Sequence, residues 1–229
     1  MLANTWSSVA LSFDSSRPAP TSPLRRGIEN SIRLVLIVFL VPYVVFLDLY
    51  VFGNRLKENS VTEWGQALIL LVCVILFARV ARRRPDGRGW YMLISGFFTC
   101  CLIREMDWIF DKGLFHGAWA PFAIAVALVV IVRSLRIRHT LVPGAVEFFN
   151  TQAFVYVQIG LVVLLFLSRF LGSGQLIWYH IGHDRSFRLC KSVIQESLEL
   201  FGYLLIFFGS ILLHSEFDRD NTDPRQIEG

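Results

Sequence analysis

The side chains with most capacity for chemistry in this chain are acids set among apolar residues. Glu63 and Gln66 stand in "NSVTEWGQ", Arg104, Glu105 and Asp107 in "LIREMDWIFDK", and Glu196, Glu199 and Tyr203 in "QESLELFGY". Carboxylates so placed can act as general acids or bases, as oxygen ligands for a hard cation, or as proton carriers. Their spacing is helical. Glu63 and Gln66 are i, i+3; Arg104, Asp107, Trp108 and Asp111 follow i, i+3, i+4, i+7; Ser192, Glu196, Glu199 and Tyr203 follow i, i+4, i+7, i+11. Each set therefore falls on one helical face. Glu105 points roughly 100° away from Arg104 on a helix, toward a different neighbour.

The elements that carry these stripes read as membrane helices. The chain of 229 residues is 54% hydrophobic, with a mean hydropathy of +0.53, too apolar for an ordinary soluble domain. A hydrocarbon core of about 30 Å takes about 20 mostly apolar residues as a helix, and six segments meet that length, near 32–53, 61–81, 89–111, 117–136, 151–171 and 192–215. The expected fold is an all-α integral membrane protein of about six transmembrane helices. An amphipathic outer loop joins spans five and six. The expected organisation is a tail over 1–27, a six-helix domain over 28–217 and a second tail over 218–229. The first 24 residues are rich in Ser and Pro and lack the pattern of a signal peptide.

Basic residues orient the bundle. "ARVARRRPDGRGW" links spans two and three, and "RSLRIRHT" follows span four. Short Arg-rich loops stay cytoplasmic, so both termini are expected inside. On that count fourteen of the 22 Lys and Arg residues fall inside and eight outside. The expected location is the plasma membrane, which is the inner membrane in a bacterium. The net charge of +4 is a topology signal rather than a nucleic-acid footprint. In this orientation Asp48, Glu63, Gln66, the Arg104–Asp111 run, Glu196 and Glu199 all lie in the outer half, while "ALILLVCVILFA" and "LLIFFGSILL" leave the inner half nearly free of charge.

A charge at the bilayer centre costs about 2.5–3.5 kcal/mol on the lenient insertion scales, so such residues face the bundle interior or a wet cavity. Three helices with stripes at one depth are expected to converge on a pocket that opens outward. Two carboxylates about 5 Å apart at an effective dielectric near 20 repel by roughly 3 kcal/mol. Arg104 can neutralise one acid. A bound cation, a shared proton or water must offset the others.

Plainer roles compete for each motif. An Arg104–Asp107 clasp would hold helices together, Glu63 fits the first turn of a helix started by Ser60 or Thr62, and Trp64, Trp108, Trp119, Trp178 and Tyr179 suit an outer aromatic belt. His180 and His183, i, i+3 in "WYHIGHD", suit an interfacial helix or, above the acids, a metal site with Glu63, Glu105, Glu196 and Glu199. Haem is disfavoured, since none of the five His lies at membrane depth. No nucleotide-binding or nucleophile-elbow motif is present. Cys73, Cys100, Cys101 and Cys190 form no CxxC, so thiolate metal binding is not expected.

Three functional classes follow. A membrane-embedded enzyme would use Glu63, Glu105, Asp107, Glu196 and Glu199 on a lipid or lipid-linked substrate, with Arg104, Gln66 and Tyr203 in support. Four-helix di-iron sites use Glu-x-x-His on two helices; this chain has Glu-x-x-Gln and Glu-x-x-Glu, which suits a single divalent cation or a metal-free acid/base pair. A transporter or subunit would handle protons or cations with the same acids. An accessory subunit would use them only to clasp helices. Membrane lipids, and a second copy or another membrane protein, are the expected partners; nucleic acid is not.

Overall fold

The computed structural model describes residues 23–51, 60–113, 115–173, 178 and 185–220. Among them all regular structure is helical. The chain falls into two compact units, Met1–Leu36 and Ile37–Gly229. In the first, the described residues open helix α1 (Pro23–Phe46), where exposed Arg25 pairs with Glu29 one turn on at 2.9 Å.

The second unit holds the rest. The end of α1 contains Pro42, which has no N–H for the helical ladder, and runs on into a π-helical segment, Leu47–Val51. Then come α2 (Val61–Arg83), α3 (Arg88–Glu105), α4 (Asp107–Gly113), α5 (Trp119–Arg136), the short α6 (Leu141–Phe149), α7 (Gln152–Val162), a second π-helical segment (Val163–Leu167), α8 (Ser168–Gly172) and the long α9 (Arg185–Asp220).

Among the described residues five helices are long and apolar enough to cross a membrane: Gly27–Val51, Val61–Arg83, Trp119–Arg136, Gln152–Gly172 and Leu189–Asp218. This is the make-up of a multi-pass membrane protein. The expected third span, 89–111, is divided instead. Met106 leaves the helical conformation (φ −96°, ψ 21°), its N–H bonding back to Leu102 and Arg104, and α4 starts afresh at Asp107. The eighteen residues of α3 still pack lengthwise between α2 and α5.

Helix α9 is central. Two-thirds (67%) of its apolar window is buried, against 11–33% for the other four candidates, and it packs along α2, α7 and α8. Its contact with α7 depends on two glycines: a Cβ on Gly160 would stand 2.7 Å from the Gly202 carbonyl, and one on Gly202 would stand 2.9 Å from the Gly160 carbonyl. Small residues let membrane helices approach this closely, and the packing so gained replaces the hydrophobic drive that lipid removes. The core between α2, α3, α7 and α9 is built on Leu70, Phe77, Tyr91, Phe98, Ile206 and Leu213.

At the end where α2 and α9 finish, ion pairs tie the helices. Arg83 meets Asp218, which His214 also meets at 3.0 Å. Arg84 lies 3.6 Å from Glu147 and 4.2 Å above the Phe217 ring, and the Tyr91 hydroxyl donates to Glu147 at 3.1 Å.

Candidate functional site

The opposite end, where α2 and α9 begin and α3 finishes, gathers the acids. The start of α2 is fixed first. Ser60 caps it, its hydroxyl accepting from the Glu63 N–H at 3.1 Å. The fully buried Asp48 carboxylate accepts from the Val61 and Thr62 N–H groups at 2.9 Å each and from the Thr62 hydroxyl. These donors are among those a helix start leaves without intrahelical partners. Satisfying them anchors the turn that carries Glu63 and Gln66. Asp48 is therefore a capping residue, and a local role accounts for its burial.

Two hydrogen bonds then bring α2 and α3 onto α9. Gln66, 1% exposed, donates through Nε2 to Glu196 Oε2 at 3.3 Å. Tyr203, equally buried, donates its hydroxyl to Glu105 Oε1 at 2.7 Å. Arg104 lies 3.1 Å from the same Glu105 oxygen. Glu199 is buried, and its Oε1 takes an N–H from Gln195 at 3.2 Å and stands 3.7 Å from the Arg169 guanidinium on α8. Glu63, Glu105 and Glu199 all lie close enough to act electrostatically on Glu196. The sequence-expected acids Glu63, Glu105, Glu196 and Glu199 thus lie near one another at this end, Gln66 meeting Glu196 and Tyr203 meeting Glu105.

Asp107 does not join them. It is exposed beyond the break at Met106, and Arg104 pairs with Glu105 rather than across one turn with Asp107. The i, i+3 relation needs a continuous helix, and the helix stops between the two. The side chain of Asp111 is not among those described, and His180 and His183 lie outside the described residues. Among the described residues no three His, Cys, Asp or Glu side chains stand as a metal site requires.

Arg169 and Gln195 were not singled out by spacing. The only signal for Arg169 is a lone cation near the end of an otherwise apolar span. Its helix is held against α9 at Gly172, where a Cβ would come 2.6 Å from the Gln195 amide oxygen.

The open space here is small. A crevice of about 10 Å³ is lined by Glu63, Trp64, Ala67, Glu105, Met106 and Trp108, the size of a single water. Trp64 and Trp108 meet edge to face at 5.7 Å beside it. A larger groove of about 500 Å³ runs between α3, α6 and α7 past Trp90, Phe97, Phe149 and Phe166, but no acid or base lines it. Comparison with protein-family models, curated proteins and solved structures gave no match.

Proposed function

We propose that the chain is a multi-pass membrane protein that takes up a proton or a small cation at the site formed by Glu63, Glu105, Glu196 and Glu199. The observation that carries this reading is the Gln66–Glu196 hydrogen bond between α2 and α9, with Glu63, Glu105 and Glu199 near enough to act electrostatically on Glu196. Two of its neighbours are compensated. Arg104 serves Glu105 and Arg169 serves Glu199, whereas no Lys, Arg or His among the described residues pairs with Glu196. An uncompensated carboxylate in a low-dielectric bundle calls for a positive species. The Arg-rich link from α2 to α3 and the basic end of α5 support an orientation with these two segments cytoplasmic and α3 crossing between them as a sixth span, which sets the site in the outer half.

A second reading keeps a specific observation. The water-sized crevice flanked by Glu63 and Glu105 suits a membrane-embedded acid/base enzyme that activates one water against a lipid-linked substrate. The described residues leave room there for the water and none for a lipid headgroup, so ion handling is the better-supported function.

The test is thermal melting of detergent-purified protein across pH and with added Na⁺, K⁺, Mg²⁺ or Ca²⁺. The midpoint should respond to pH or to one of these ions. The Glu196→Gln/Glu199→Gln protein should lose that response. A wild-type midpoint indifferent to pH and to all four ions would overturn the reading.

A further inference from the structure

Resting on that reading, we infer that the species taken up is a proton, bound by Glu196 and closed by the Gln66 carboxamide into an acid–amide pair. The decisive atom is Gln66 Oε1, which is buried and has no hydrogen-bond partner. Its own amide group already touches the site, since Nε2 donates to Glu196 Oε2. A buried acceptor left unmade carries a desolvation penalty, and what Oε1 lacks is a donor.

A carboxylic acid supplies one. An acid and a primary amide pair face to face through two hydrogen bonds, the amide N–H to the acid carbonyl and the acid O–H to the amide oxygen. The Gln66 N–H to Glu196 Oε2 bond is one half of that pair. A proton on Glu196 Oε1 makes the other half, donating to Gln66 Oε1. Without the proton, the second carboxylate oxygen and the amide oxygen are both acceptors and repel. The 3.3 Å length, beyond the usual range for N–H···O, fits a half-made pair.

The surrounding charges point the same way. Facing Glu196 are Glu63 from α2, Glu105 with its Arg104 from α3, and Glu199 with its Arg169 on α9 and α8. The Tyr203 hydroxyl is committed to Glu105. Uptake is a simple protonation: one O–H bond forms on Glu196, no bond breaks in the protein, and the site gains one positive charge.

Infrared spectroscopy of the detergent-solubilised protein, stepped through pH in H₂O and D₂O, tests this. The wild type should show a protonated-carboxyl stretch that converts to carboxylate as pH rises. Glu196→Gln should abolish that band, and Gln66→Leu should keep it but move it as the amide acceptor is lost. Asp218→Asn, at the other end of the bundle, should leave it alone. If Glu196→Gln does not fold, Glu196→Asp must shift the band, and an unmoved band overturns the assignment. No acid band at any pH, together with a metal-cation shift in melting that needs Glu196, would sink the proton and leave the broader reading standing. Absence of both would sink the two together.

Discussion

Tyr203 and Glu105 stand 98 residues apart in the chain, and the hydroxyl of one donates to the carboxylate of the other at 2.7 Å. Glu105 ends α3 and Tyr203 lies buried on α9, so the bond joins two helices whose direct partner in the packing is α2. Removing the donor leaves a largely buried carboxylate, its side chain 11% exposed, with Arg104 alone. Tyr203→Phe should cost about 1–3 kcal/mol, read as a lower detergent melting midpoint. Arg104→Gln should cost less, about 0–1 kcal/mol, because the Arg104 side chain is 43% exposed and its ion pair is screened. A larger loss in Arg104→Gln than in Tyr203→Phe would mean that the ion pair, not the tyrosine, holds Glu105.

The contrast shows what was legible in the sequence. The stripes of α2 and α9 could be read because both helices are unbroken, so that i, i+3 and i, i+4 spacing fixes a common face. Glu196 and Tyr203 both turn toward neighbouring helices, Glu196 to Gln66 on α2 and Tyr203 to Glu105 on α3. The Arg104–Asp107 clasp failed because nothing in "REMDW" announces a break: no Gly or Pro interrupts it, yet the helix ends at Met106. Arg169 escaped notice because a cation alone on an apolar helix has no stripe, and its partner lies on another helix.

Asp48 makes its own prediction. The buried carboxylate satisfies two backbone N–H groups and one hydroxyl at the start of α2, and an asparagine offers only one oxygen in their place. Asp48→Asn should destabilise by about 1–2 kcal/mol, as loss of a strong helix cap does. Hydrogen exchange should rise first at the Val61 and Thr62 amides. Unchanged protection there would show that the start of α2 is held by Ser60 alone.

The approach of α7 to α9 yields a third. A methyl on Gly202 must displace either the Gly160 carbonyl, at 2.9 Å, or Leu164. Overpacking of this kind costs about 1–3 kcal/mol. Gly202→Ala should therefore lower the melting midpoint, while Gly65→Ala, where an added Cβ meets nothing within 4 Å, should not. Similar midpoints for the two variants would mean that α7 moves away from α9 at little cost.

The last prediction separates stability from function at Glu196. A glutamine there keeps the shape of a neutral acid and supplies an N–H to the orphaned Gln66 oxygen, while removing one charge from the neighbourhood of Glu63, Glu105 and Glu199. Glu196→Gln should melt at or above the wild-type midpoint, as substitutions at a strained functional site often do. Its dependence on pH should also change. On the acid–amide reading, wild-type stability falls as rising pH strips the proton from the folded protein, whereas the variant has no proton to lose at this position and its curve should be flatter. Melting both proteins across the same pH series decides the matter. A Glu196→Gln midpoint well below wild type, with the pH slope intact, would make Glu196 a structural acid and leave the cluster as a clasp between α2, α3 and α9.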